Sequence, residues 1–581
     1  MRTLFAFFFL FLSVSEAAVS DKTLHELSQT RYWHVLLHWK NGQSEIDDPS
    51  FFLTKKRELT PLHELNATIR ALQNDDDNIS CRYPARIFWL REVLPELFAK
   101  KRFVCQELEE RIAKVGIQNV TLVFPTAYMN SPASMFGHTF LRLDKDPHLP
   151  LVSEAVNYAA RTAEENGLRY LYNGLFGGYR GYYSMLPYYK KIKEYAAMEQ
   201  RDMWEYELDL NTTEIRQLLY HLYELKGVYG DYYFFTKNCS YNLLWLLESA
   251  KIDTHLPDDF RFKVIPVDTI RSVKQRGLIG SVHFRGSKRR RMEALLRQIA
   301  NHKVARKFCK TYDLKLLSDL NMTQQALIVD LGVENLKFRR SHRKINKQNY
   351  ITNLMKLLKY RSKLPSATKL TIEKGVDPLR GHRSARVVFW LQNGGRFAFS
   401  IKPAMHDMED IGYGYIPGAY IDFFHLKFER SRFRRFDFVS VTSLAARDDF
   451  FKPISWKASV SVSTVAHKGY ERFFSLAGGA GMSWKRAQTL WFWLAGPEVY
   501  AGSASIGTIF LQTGILHIRR TFTGGLRYKI NAFTDGKEES RKTLFLTRKI
   551  SKNFALNMKL YEDKIADRKE DSFAVGIFYY F

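Results

Sequence analysis

Cysteine is scarce in this chain: Cys81, Cys105, Cys239 and Cys309 are the only 4 in 581 residues. None forms a CxxC pair or stands at a Cys/His spacing suited to zinc, so the sequence offers no metal site and implies no cofactor. Past the first residues there is no apolar run long enough for a spanning helix. Gly167, Gly174, Gly177, Gly178 and Gly181 crowd together without the spacing of a phosphate-binding loop, which argues against a nucleotide site. Negative charge is in deficit, with 60 Asp and Glu against 88 Lys and Arg, a net charge of +28. Such a chain favours an anionic partner: nucleic acid, or a phospholipid or lipopolysaccharide surface. Hydrophobic residues make up 45% and aromatics 14%, enough for packed cores and against disorder.

The N-terminus decides between those partners. Arg2 precedes the apolar stretch Leu4–Leu12, and Ser15 and Ala17 supply small residues for cleavage near Ala17 or Ala18. Residues 1–17 therefore read as a secretory signal peptide. Export makes nucleic acid an unsuitable partner and a bacterial membrane a suitable one. In an oxidising compartment Cys81 and Cys105 are candidates for a disulfide across a helical segment, the alternative being two buried free thiols.

The remaining chain divides by texture. Residues 18–115 carry apolar residues at helical spacing. Residues 116–275 mix short strand candidates with a helix announced by Asn211-Thr212-Thr213-Glu214, which has the pattern of a capping box. Residues 276–365 are basic and mainly helical. Lys288-Arg289-Arg290-Arg291 and a helix bearing Leu354, Leu357 and Leu358 beside Lys356 and Lys359 are either a solvated face or a contact with anionic lipid. From 366 onward alternating segments recur between turns, giving an antiparallel barrel of about 12 strands, with a soluble sandwich as the alternative. The terminal strand alternates Phe573, Val575, Ile577, Tyr579 and Phe581 on one face, resembling the C-terminal signature of bacterial outer-membrane barrels. Such a barrel satisfies its backbone in lipid without any helix. Phe578 and Tyr580 would then point inward, against the usual polar lumen.

The chemistry sits in 116–275. Cys239 follows Thr236-Lys237-Asn238 and begins the apolar run Leu243-Leu244-Trp245-Leu246-Leu247, which places a thiol at the first turn of a helix. Backbone N–H groups and the helix dipole there favour the thiolate. His138 follows Gly137 at the start of the alternating segment Thr139–Leu143, and together Cys and His make a nucleophile–base pair. Asn157, on the next strand candidate, is the choice for orienting the imidazole, and its alternative is a strand-end turn residue. Ser131 and Ser134 are runner-up nucleophiles, although Asn130-Ser131-Pro132 reads more simply as a helix start. The Gly/Tyr-rich segment from 167 to 189 is expected either as an amphipathic flap or as ordinary packing.

Pro132-Ala133-Ser134-Met135-Phe136-Gly137-His138-Thr139-Phe140-Leu141-Arg142, Asn157-Tyr158-Ala159-Ala160, Asn238-Cys239-Ser240 and Cys81-Arg82-Tyr83-Pro84-Ala85-Arg86 resemble the DUF4105 family, the Lnb N-terminal periplasmic domain, over roughly 25–275. The stretch from Gly381 through Asp407 resembles the barrel-like module attached in many members. The resemblance implies an α+β chain in which a permuted papain-like domain of NlpC/P60 or LRAT type, with His before Cys, follows N-terminal helices and precedes the barrel. It implies a thioester on Cys239 with His138 as base. The acyl chain passes from a phospholipid donor to the N-terminal amine of a diacylated lipoprotein or another amine. LRAT-type enzymes use a second His as orienter, where this chain offers Asn157. Members with the long barrel half have room for other donors or amines. The expected setting is the outer membrane with the catalytic domain in the periplasm. Rival readings are a cysteine amidase or peptidase acting on cell-wall peptides, and a non-enzymatic barrel protein.

Overall fold

The computed structural model describes residues 19–74, 78–99, 104–127, 129, 135–162, 164, 167–365, 370–430, 432–503, 505–566 and 568–581. The expected signal peptide, Ser131 and Ser134 lie outside the described residues.

The N-terminal region is built from helices α1 (Asp21–Ser28), α2 (Arg31–Leu36), α3 (Pro61–Gln73), α4 (Pro84–Val93) and α5 (Gln106–Val115). Ser20 and Thr60 cap α1 and α3 with their hydroxyls, and Pro61 and Pro84 stand in the first turns of α3 and α4, where no intrahelical donor is lost. Arg86 is fully buried; its guanidinium pairs with Glu64 and lies over the Tyr83 and Phe51 rings. Cys81 and Cys105 form a disulfide, with Cα atoms 4.7 Å apart.

The next unit is a 7-stranded antiparallel sheet. Its strands are β1 (Asn119–Pro125), β2 (Phe140–Asp144), β3 (Glu154–Ala160), β4 (Tyr179–Pro187), β5 (Met203–Leu208), β6 (Tyr229–Tyr232) and β7 (Ile279–Arg285), in the order β6-β4-β3-β2-β1-β5-β7. Helices α6 (Thr212–Glu224), α7 (Cys239–Ala250) and α8 (Pro266–Gln275) accompany it. Asn211 and Glu214 close the expected capping box at α6. Every residue of α7 is buried. A helix apolar on all sides has to be wrapped on all sides, and α7 lies among α2, α6, α8 and the sheet. The tyrosine-rich segment expected as a flap includes β4, a strand paired on both edges, with β3 and β6. Strand β7, which sequence reading leaves in the connector, instead completes the sheet beside β5. Its Ser281, Val282 and His283 are exposed, so it carries little apolar periodicity.

Helices α9 (Lys288–Gln298), α10 (His302–Thr311), α11 (Met322–Ser341) and α12 (Lys347–Arg361) form the connector around their own core, which includes Phe308, Ile328, Leu331 and Leu357. The basic run at the start of α9 is paired with carboxylates. Lys288 and Arg291 pair with Glu334, Arg290 with Asp202, and Arg289 with Asp448. The charges bind the connector to the sheet domain on one side and the barrel rim on the other.

The barrel strands are β8 (Arg386–Gln392), β9 (Arg396–Lys402), β10 (Ala419–Glu429), β11 (Arg432–Ser443), β12 (Ser455–Val465), β13 (Glu471–Arg486), β14 (Thr489–Ala501), β15 (Ser505–Ile518), β16 (Phe522–Phe533), β17 (Glu538–Lys549), β18 (Phe554–Ile565) and β19 (Arg568–Tyr580). These 12 close an antiparallel ring, β19 pairing with β8 and β9 with β10. The β9–β10 seam is interrupted. Ile401 pairs with Leu426, and the pairing resumes at Ala404 with Phe423. Between them stand Pro403, which has no N–H to give, and Phe424, at φ +50°.

Side chains alternate across the wall. Phe389, Phe397, Ile509, Ile515, Ile577 and Tyr579 are exposed outside, whereas Arg435, Asp437, Glu498, Lys529 and Arg541 face a lumen with a cavity of about 430 Å³. An apolar exterior over a charged interior is the pattern of a barrel in lipid. Among the described residues no helix is long and apolar enough to cross a membrane, so the strands do the crossing.

Phe578 and Tyr580 do point inward, and the reason is a plug. Residues 403–418 fold into one end of the lumen. Asp410 takes Arg386, Lys402 and the Tyr580 hydroxyl; Asp407 takes Arg386; Glu409 takes Arg527; Gly412 donates to Thr523. Tyr580 stacks on His382 at 4.1 Å and Phe578 lies under Arg386. Asp410→Ala would take from the buried Arg386 and Lys402 the carboxylate they share most closely, leaving them Asp407 and Asp422, and breaking such a buried pair costs about 3 kcal/mol. The folded barrel should unfold at a distinctly lower temperature in a gel-shift melting series, whereas Arg396→Ala, at an exposed pair with Glu570, should leave the series unchanged.

Candidate active site

Cys239 is the first residue of α7, and its position is set by the residue before it. Asn238 is the N-cap: its side-chain oxygen accepts from Ser240 N at 3.1 Å and Tyr241 N at 3.3 Å. Its amide in turn donates to the Phe234 and Val264 carbonyls. An N-cap held at both ends leaves the thiol little freedom, and Cys239 is 4% exposed.

His138 arrives from the other side, two residues before β2. Gly137 stands at φ +88°, and a Cβ there would lie 2.5 Å from the Phe124 ring, so glycine is required for the turn that presents the imidazole. His138 lies close enough to Cys239 to act on the charge of its thiol. Its Nε2 lies 2.6 Å from the Asn157 side-chain oxygen. Asn157 sits in β3 and is itself 6% exposed. The structure thus brings Cys239, His138 and Asn157 together, with His138 bonded to Asn157 and acting on the thiol.

The thiol titrates under opposing influences. Burial pushes its pKa up; the neighbouring His138 charge and hydrogen bond, the Thr139 backbone and the Tyr232 hydroxyl pull it down, and the balance falls at about 7. Tyr232 is a participant that sequence reading passed over. Its hydroxyl accepts from Cys239 N at 3.2 Å and also bonds the sulfur. In sequence it is one more tyrosine in an aromatic run, and only the pairing of β6 with β4 aims it at the thiol. Cys309 contrasts: burial without such partners raises its thiol to about 12.

Two groups of potential metal ligands occur among the described residues where the plug meets the barrel, His382 with His406 and Asp410, and Asp407 with Asp422 and His425. Lys402 serves both: its ammonium bonds Asp410 and lies 3.2 Å from Asp407 and 3.4 Å from Asp422. A divalent cation would have to displace a buried charge already in place, so these residues fit a self-neutralised cluster better than a metal centre.

The site clings to the barrel. Phe136 stacks on Phe423 at 5.1 Å, and Phe235 meets Phe423 at 5.4 Å. Met135 packs with Ile421 and Val441, and the Trp456 indole donates to the Met129 carbonyl. Lys263 donates to Ser384 and to the Pro403 carbonyl at the interrupted seam. The expected chemistry of this thiol is measurable directly. Alkylation of Cys239 should rise with pH through a midpoint near 7. In His138→Ala burial is opposed only by the Thr139 backbone and Tyr232, so the midpoint should move up to or beyond the ordinary thiol value of about 8.5. Intact-mass kinetics on the Cys309→Ala background would read both.

Comparison with known proteins follows these boundaries. Residues 107–276 match the model of the Lnb N-terminal periplasmic domain. Residues 25–93, 282–371 and 375–580 match three domains of unknown function, DUF7843, DUF7842 and DUF7840. No curated protein matches the chain. Among solved structures, similarity is confined to about a third of the chain. The KdgM porin in complex with disordered oligogalacturonate is 14% identical, covering 34% of this chain and 99% of that one, with a TM-score of 0.24. An anion-selective porin from Comamonas acidovorans is 15% identical over 32% of this chain and 59% of its own, with a TM-score of 0.19. The outer membrane channel DcaP of Acinetobacter baumannii is 14% identical over 34% and 62%, with a TM-score of 0.18. Residues 107–276 thus match an Lnb N-terminal periplasmic domain, here joined to a closed 12-stranded barrel with an apolar exterior.

Proposed function

We propose that this protein is a thiol acyltransferase that takes an acyl chain from a phospholipid and passes it to an amine, with the N-terminus of a diacylated lipoprotein as the expected acceptor. The observation that carries this reading is the meeting of Cys239, His138 and Asn157, with His138 bonded to Asn157 and the thiol pKa drawn down to about 7 beside an apolar barrel wall. The domain's fold would be of the permuted papain-like kind, in which a helix-start Cys and a strand-borne His meet and an Asn holds the imidazole.

The steps follow from the groups present. The Cys239 thiolate attacks the ester carbonyl of the donor. The developing oxyanion takes the Cys239 N–H, now held by Tyr232, and the Tyr232 hydroxyl as donors. As the C–O bond breaks, imidazolium His138 gives its proton to the departing alkoxide, and lysophospholipid leaves. The acceptor amine then attacks the thioester, His138 removes its proton, the C–S bond breaks and the thiolate returns. Asn157 touches none of the reacting atoms; it is a positioning residue that fixes the ring.

A peptide amidase would use the same three residues, so the acyl group itself has to be found. Full-length protein mixed with phosphatidylethanolamine and phosphatidylglycerol vesicles should gain the mass of one acyl chain, removable by hydroxylamine. The adduct should be absent from Cys239→Ser and His138→Ala, and Asn157→Ala should slow its formation by about tenfold or more. Hydrolysis of a muropeptide without any adduct would assign the site to a cysteine amidase. Equal behaviour of wild type and Cys239→Ala in both assays would leave a barrel without catalysis.

A further inference from the structure

The elements bearing Cys239 and His138 do not rest on the rim of the barrel; they climb its outside. Phe423 is the fifth residue of β10, so the contacts of Phe136 and Phe235 lie about 13 Å along the strand from the rim, or roughly 10 Å of height at the usual strand tilt. That exceeds the roughly 5–7 Å of one headgroup layer. Phe136 is two residues from His138, and Phe235 four from Cys239.

From this contact an aromatic row runs out along the wall. Phe235 meets Phe424 at 5.7 Å, Phe424 meets Phe436 at 6.5 Å, and Phe436 meets Phe438 at 4.9 Å. Phe424 and Phe438 are 40% and 39% exposed on the face that the rest of the barrel presents to lipid. The row is therefore continuous with the membrane-facing surface at one end and with the catalytic thiol's neighbours at the other. It also begins where the β9–β10 seam is interrupted, at Pro403 and Phe424.

We infer that the β10–β11 outer wall is the entry route for the acyl chain: a phospholipid of the periplasm-facing leaflet lays one chain along Phe438, Phe436 and Phe424 and reaches Cys239 past Phe235 and Phe136. This rests on the acyl-transfer reading and adds the direction from which the donor comes. The apolar contacts of a remote chain then hold the ester at the thiol, so their loss lowers the rate of acylation by long-chain lipid selectively.

The test compares two donors on full-length protein in vesicles. Phe424→Ser with Phe438→Ser should cut acylation of Cys239 by vesicle phospholipid about tenfold, while labelling by a water-soluble short-chain thioester stays within about twofold. Ile509→Ser, on the lipid-facing surface of β15, should change neither. Should the serine pair fail to give a heat-modifiable folded barrel, Phe424→Leu keeps an apolar wall and should still slow the phospholipid reaction by about threefold. Unchanged phospholipid acylation in a folded serine pair overturns the route while leaving acyl transfer intact. Equal loss with both donors also overturns it, since the fault then lies in the thiol. A wild-type protein that takes no acyl group from either donor removes the acyl-transfer reading and the route with it.

Discussion

A strand in hydrocarbon has no water to satisfy its N–H and C=O groups, so a spanning sheet must close on itself. In this chain closure depends on the β9–β10 seam, whose pairing is broken at Pro403 and Phe424 and resumes at residues 404–406. The break is repaired from outside the barrel: Lys263, from the domain that holds the thiol, donates to the Pro403 carbonyl. From within, Lys402, the residue before the break, is neutralised by Asp410. Barrel, plug and the domain that holds Cys239 therefore meet at one place, and the position of the thiol relative to the barrel follows from how the ring is shut.

Charge is handled in the same internal way. A net charge of +28 invites the expectation of a broadly basic surface. Much of the positive charge is instead spent between parts of the molecule. Arg289, Arg290 and Arg291 reach acidic partners in the barrel rim, the sheet domain and the connector, while Arg386, Arg527 and Arg541 reach carboxylates inside the barrel. Paired this way, arginine contributes more to geometry than to affinity for an anionic surface, because partly buried pairs gain little net energy but tolerate few arrangements.

The barrel was legible because lipid outside and ions inside impose a strict two-residue alternation, and the expected span folds into 12 barrel strands. Helix α7 was legible from Asn238 and the apolar run behind it. His138 and Asn157 could be chosen by residue type and strand position, and the structure sets them 2.6 Å apart. Less could be read where structure depends on distant partners. Residues 403–418 have no period of their own and take their shape from Arg386, Lys402 and Thr523. Tyr232 resembles its tyrosine neighbours until β6 joins β4. The edge strand β7 has its middle open to solvent and so resembled the polar segment after it. The basic start of α9 could not disclose its carboxylate partners, which lie far along the chain at Asp202, Glu334 and Asp448.

The chain keeps two sulfur chemistries apart. Cys81 and Cys105 are joined in a disulfide, while Cys239 is a free thiol that, for the proposed acyl transfer, has to stay reduced. A thiol with a pKa near 7 is a ready substrate for oxidising enzymes if it is exposed while the chain is still open. Its safety comes from α7, which encloses it once Asn238 is locked and the sheet has formed around it. Maturation thus has an order of events: the N-terminal helices can accept their crosslink early, but the reactive sulfur survives only if the centre of the domain folds faster than an oxidant can find it.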